Sequence, residues 1–184
     1  MTGVRGALIG ALVCVAVVAQ VVVFRYVAID GVVPDLALVL VVVAAIARGP
    51  QYGAVLGFVA GLLLDVAPPA DHVAGRWALA LVIVGYLAGR VRQDARSSLL
   101  TAVLVVGAGS FIGTSLYAFS GVVLGDAAPP VDQMLRIIVT SILWDVVLAP
   151  LLVPVLLWLF GTMMPREDRP LAEGTLQQRP RVVH

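Results

Sequence analysis

Lysine is absent from this chain of 184 residues, charge of either sign is scarce, and only one cysteine and two histidines occur. Each shortage closes off a class of function. Charged residues make up 12% of the chain and the net charge is +1, so there is no basic field of the kind that nucleic acid requires. Cys14 stands alone; it cannot close an intramolecular disulfide, and inside an apolar run it is expected to be a buried small hydrophobe. His72 and His184 have no Cys, Glu or second His at ligand spacing, which leaves no basis for a metal site. No His, Glu or further Cys stands within an apolar segment to act as a base, and Ser141 with Asp145 one turn on lacks the His or Lys of a nucleophilic pair. Catalysis is therefore not expected, and no cofactor is implied. The twelve basic residues are all Arg, a compositional bias with no function attached.

What the chain has instead is oil: 61% of its residues are hydrophobic, well above a soluble domain. They fall in long runs, at residues 7–24, 36–47, 78–88, 99–106 and 137–143. Runs without a polar face are what bilayer lipid demands of helices, and the strand alternation of a membrane barrel is missing. The fold class is an all-α polytopic membrane helical bundle. Arg5 followed by an apolar stretch, with small residues at 16–19, resembles a secretory signal. The run continues to Phe24 and more hydrophobic segments follow, so an uncleaved first transmembrane helix is expected.

Six membrane segments are predicted, at residues 6–24, 33–47, 50–66, 76–89, 98–122 and 134–161. The second to fourth fall short of the roughly 30 Å hydrocarbon core at 1.5 Å per residue, so their ends recruit flanking residues or they lie deep in the bundle. Arg48, Gly49 and Pro50 supply a C-terminal basic residue, a cap and a first-turn proline, the makings of a tight helical hairpin. Pro68–Pro69 and Pro129–Pro130 mark two further loops. With both termini cytoplasmic, nine Arg (5, 48, 90, 92, 96, 166, 169, 179 and 181) lie inside and three (25, 76 and 136) outside, as the positive-inside rule asks. Asp30, Asp35, Asp71, Asp126 and Asp132 then fall outside. Merging residues 36–64 into one span gives a five-helix alternative with a similar tally, but buries Arg48 beside a Gly-Pro break. Arg92 and Arg96 read as a solvated loop with a topological role, in preference to a lipid-headgroup patch. Residues 1–164 form one transmembrane domain, and 165–184, rich in Pro, Gln and charge, read as a disordered cytoplasmic tail.

Two features stand above this background. Gly53, Gly57, Gly61 and Asp65 recur every four residues, so three glycines carve a smooth groove on one helix face and a carboxylate closes its end. Packing within the chain, a subunit contact with a partner and a homo-oligomer are all compatible with such a stripe. Gly85 with Gly89, and Gly109 with Gly113, could arise by chance. Asp145, after Trp144 and before Pro150 and Pro154, is an ionisable residue inside a span, where it must face the bundle, a cavity or a partner. The prolines are expected to bend or break that helix and shift Asp145 inward. Other polar groups in the spans, namely Gln20, Thr101, Ser110, Thr114, Ser115, Thr140 and Ser141, look thinly spread, which argues against a proton or ion relay.

The stretch PDLALVLVVVAAIARGPQYGAVLGFVAGLLLDV, with Pro34, Asp35, Gly53, Gly57, Phe58, Gly61 and Asp65, resembles the rod shape-determining protein MreD family, as do the chain length and the later ALALVIVGYLAGRVR helix. The resemblance covers roughly residues 5–160 and is most specific over 34–90; it does not extend to a role for Asp145. It implies a multi-pass protein of the bacterial plasma membrane, acting in the cell-elongation and peptidoglycan-synthesis machinery. Its implied partners are an MreC-like bitopic scaffold, a RodA-like glycosyltransferase and a class B penicillin-binding protein. The family is also similar in fold to the membrane substrate-binding subunits of energy-coupling-factor transporters, which supplies an alternative function, a vitamin-like uptake subunit. Short outer loops and apolar surfaces make the lipid-facing side the expected place for a bitopic partner helix.

Overall fold

Helix breaks fall where Gly, Pro and capping side chains stand. The computed structural model describes residues 2–28, 31–68, 73–125 and 130–163. The chain runs through α1 (Thr2–Val18), continued by a π-helical turn (Ala19–Val23) and a 3-10 turn (Phe24–Val27), then α2 (Leu36–Arg48), α3 (Pro50–Val66), α4 (Arg76–Arg90), α5 (Arg92–Ser97), α6 (Leu99–Val123) and α7 (Val131–Met163). No strand occurs among the described residues beyond a single bridge residue at Val32. The segments Gly6–Val23, Leu99–Val123 and Val131–Thr162 are long and apolar enough to cross a membrane; Leu36–Arg48 and Pro50–Val66 are shorter apolar helices. The expected tail beyond residue 165, and Asp30, Asp71, His72, Asp126 and Pro129 in the loops, lie outside the described residues.

The 36–64 stretch is not one helix. Gly49 takes φ +102°, a conformation open to glycine and strained for other residues, closing α2 before Pro50 opens α3. Its N–H donates to the Ala45 carbonyl at 2.7 Å. α5 was unexpected: residues 92–97 read as a loop, yet they form a short helix.

At the centre stands α2, with every residue from Ala37 to Ile46 at most 1% exposed. Of the two readings of this short span the deep one holds: α2 faces protein on all sides, so its apolar run answers to the bundle interior. A buried helix must satisfy its terminal backbone groups from other elements, because no water reaches them. At its N-terminus Asp35 N–H donates to Asp145 Oδ1 (2.8 Å), Ala37 N–H to Gln20 Oε1 (3.0 Å) and Leu38 N–H to Asp35 Oδ1 (2.9 Å). At its C-terminus the Arg96 guanidinium donates to the Ala47 carbonyl. Arg96 is thus a cap on the central helix in addition to a topological charge, while Arg92 reaches the backbone at Gly49.

α1 lays the four-residue stripe Ile9, Val13 and Val17 against this core. Cys14, one position off the stripe, is exposed, so the expected buried thiol is corrected: a helix on the rim of the bundle buries one face only. The prolines of α7 do not break it: it continues as a single helix through Pro150 and Pro154, and Asp145 sits level with the start of α2.

Candidate functional site

Two constellations concentrate the polar and small residues, one between α3 and α4 and one at the start of α2. In the first, the glycine stripe of α3 meets α4 of the same chain. A methyl group built on Gly53 would strike the Gly85 backbone, one on Gly57 the backbone of Leu81, and one on Gly61 that of Ala78. Gly89, built out in the same way, would strike Pro50. Two helices thus approach backbone to backbone over three turns, where dispersion accumulates and no side chain separates them. Gly85 and Gly89, which sequence spacing alone leaves to chance, are the other half of this seam. Gly109 and Gly113 on α6 likewise make room, for Val42, Val84 and Leu38.

Asp65 closes the seam in a way that its sequence position does not reveal. Its side chain is 2% exposed, and its two oxygens accept from Gly75 N–H (2.8 Å), Trp77 N–H (3.0 Å) and Ala78 N–H (3.1 Å). These are the unpaired donors of the first turn of α4, so the last turn of α3 caps the next helix, with the favourable sense of the helix dipole. Gly75, the residue before α4, carries no side chain of its own for this purpose. Beside it Arg76, counted in sequence as an outer charge at the start of the 76–89 span, is 7% exposed. It donates to Ser120 Oγ (3.1 Å) and to the Tyr117 carbonyl (2.8 Å) and stacks over the Tyr117 ring at 4.1 Å. Trp77 stacks on the same ring, 4.6 Å between centroids. Together they tie the start of α4 to α6.

The second constellation gathers Gln20, Asp35, Ser110 and Asp145 from four elements. The polar residues that look scattered in sequence are assembled by contacts up to 110 positions apart, which no local pattern could disclose. The π-helical turn inserts an extra residue per turn and brings Gln20 inward to 7% exposure. Asp35, in sequence an outer acid and part of the family stretch, is the N-cap of α2. Asp145 is 1% exposed and Ser110 fully buried, and Ser110 faces Asp145. Among the described residues, Asp145 Oδ2, Ser110 Oγ and Trp144 Nε1 are buried without a hydrogen-bond partner. Phe58 belongs to neither site; it is 51% exposed on α3.

The arrangement of Asp145 makes a direct prediction. Asp145→Asn keeps a carbonyl oxygen for the Asp35 N–H and should fold, whereas Asp145→Leu strands that donor and should cost about 1–3 kcal/mol. Thermal unfolding of the purified protein in detergent would show this as a lower midpoint for the Leu variant only. Equal midpoints for wild type and both variants would refute the capping role.

Among the described residues no group of three or more His, Cys, Asp or Glu that could hold a metal ion is assembled. What the geometry does is pack and cap helices in a membrane setting. A search of curated proteins and one of solved structures each found no match to the chain. The family described as rod shape-determining protein MreD matches residues 4–163, a span that takes in nearly every described residue. The chain belongs to the MreD family of rod shape-determining proteins.

Proposed function

We propose that this chain is a non-catalytic component of the bacterial cell-elongation machinery that holds an MreC-like bitopic scaffold by close packing within the bilayer. Membership of the family makes it a rod shape-determining membrane component; the scaffold contact is the finer reading. The observation that carries it is the occupancy of the glycine stripe. Because α4 fills that groove, a partner helix is left the other face of α3, where Val55, Phe58, Val59 and Leu62 are exposed. Phe58 lies in the most specific part of the family resemblance, and packing within the chain leaves half of it outside. An aromatic side chain on an apolar face offers a partner helix a large contact area.

The same reading takes six crossings with both termini in the cytoplasm. Its support is that Arg48, Arg92 and Arg96 meet at one end of the bundle, where Arg96 caps α2 and Arg92 reaches Gly49, with Arg90 ending α4 beside them. Asp35, Asp65 and Arg76 mark the opposite end.

Phe58→Ala tests the scaffold contact. Folded yield of the chain expressed alone should stay unchanged, while copurification of a one-span scaffold should fall roughly tenfold, the effect of losing about 1–2 kcal/mol from an aromatic anchor. Undiminished copurification with Val55, Phe58 and Leu62 all changed to Ala would refute this face.

A further inference from the structure

One end of the bundle gathers arginine from three helices around a single turn. Arg48 ends α2, Arg90 ends α4, and Arg92 and Arg96 belong to α5. The turn is Gly49–Pro50, where α2 doubles back into α3. Three separate contacts fix the convergence. A methyl group built on Gly89 would strike Pro50, which sets Arg90, the next residue, beside the turn. The Arg92 guanidinium lies over Gly49, with Nη1 3.0 Å from where a Cβ would stand. Arg96 donates to the Ala47 carbonyl.

Helix C-termini favour cations, and that accounts for part of the cluster. Arg96 caps α2, and Arg90 donates one N–H to the Tyr86 hydroxyl at 3.2 Å. Arg92 has no such task. It is half-buried, and its five N–H donors meet no hydrogen-bond acceptor or carboxylate among the described residues. The nearby acid is Asp94 in α5, so four Arg less one Asp leave a charge of +3 at the turn. The ends of α1, α6 and α7 on this side add no acid among the described residues. Topology asks only that basic residues lie on one side of the membrane; it does not ask that they converge. The spans end here, so the cluster stands at the level of lipid headgroups. Tyr86, exposed one turn before Arg90 and 6.0 Å from its guanidinium carbon, presents an interfacial aromatic ring beside it.

We propose that this end of the bundle binds an anionic phospholipid with two phosphates on one headgroup, the chemistry of cardiolipin. Arg90 and Arg92 donate to the phosphate oxygens, for which the guanidinium fork is suited, and Arg48 and Arg96 strengthen the field. Two phosphates bridged by one glycerol offset a +3 cluster more fully than a single phosphate does. The site is separate from the lateral face of α3 assigned above to the scaffold, and it does not depend on which end of the bundle is cytoplasmic.

The test follows the anisotropy of acyl-labelled cardiolipin bound to the full chain in detergent micelles, with unlabelled lipids as competitors. Cardiolipin should displace the probe most effectively, phosphatidylglycerol less so and phosphatidylcholine not at all. Inorganic phosphate should not compete. Arg92→Gln should weaken binding about fivefold, the usual weight of one basic residue at an anionic membrane surface. Arg90→Gln added to it should bring the loss above about tenfold. Arg136→Gln, exposed at the opposite end, should leave binding unchanged. Where a variant folds poorly, the order of competitors on the wild type decides. Equal displacement by all three lipids, displacement by inorganic phosphate, wild-type affinity in Arg92→Gln, or an equal loss in Arg136→Gln would each overturn the proposal.

Discussion

Gly57→Leu is expected to leave the chain inserted in the membrane but unable to fold. Its new side chain would start on the backbone of Leu81, and neither helix can yield by rotating a side chain, because the obstacle is main chain. Overpacking typically costs about 1–3 kcal/mol, and a backbone obstacle places this site at or above the upper end. Insertion should survive, since Leu is favourable to lipid. The measurement is the monodisperse fraction, and the unfolding midpoint, of the chain expressed without any partner. Folded yield should fall severalfold. This distinguishes the seam from a partner contact, which would leave the isolated chain intact and remove only copurification. Wild-type yield and midpoint with Leu at Gly53, Gly57 and Gly61 together would contradict the packing described between α3 and α4.

Asp65→Leu should be the other severe change. The three N–H groups that converge on this carboxylate open α4, and a stranded buried donor costs about 1–3 kcal/mol. Even if local rearrangement recovers one of them, the loss is several kcal/mol. Asp65→Asn retains one carbonyl oxygen and introduces an amide that cannot accept, so it should fall between wild type and Leu. Hydrogen exchange at Trp77 and Ala78 offers the sharper readout: opening of the first turn of α4 should quicken in the Leu variant before global unfolding does. Protection unchanged at those two amides would rule out the capping role.

Much of the helical layout was legible because its signals are local. The Arg48-Gly49-Pro50 junction and the four-residue glycine spacing each act within a turn or two, and each does in the structure what that chemistry dictates. Residues that act over distance were not legible. Asp65 reads as the end of one helix but serves the next, across a loop that brings the start of α4 back over it. Gln20 and Ser110 look like isolated polar residues in oil until α1, α6 and α7 close around α2. Arg76 and Arg96 count equally in a charge tally, yet one lies against an aromatic ring and the other against a carbonyl. The burial of α2 was ambiguous for a different reason: a helix apolar all round suits lipid and protein interior alike, and only the surrounding helices decide between them.

That ambiguity bears on how the protein is made. α2 is synthesised before α6 and α7, which later cover it, so for part of its life the central helix has lipid where those neighbours will be. Its side chains must be soluble in two media in succession, and Val, Leu, Ala and Ile from position 37 to 46 meet that demand without a polar residue among them. The polar work is moved to its two ends, Asp35 and the Ala47 carbonyl, whose partners Asp145 and Arg96 arrive only with later parts of the chain. Completion of assembly is therefore marked at each end of one helix by a hydrogen bond that the nascent chain could not yet make, and a chain truncated before α7 would carry α2 into the membrane with its first N–H still waiting.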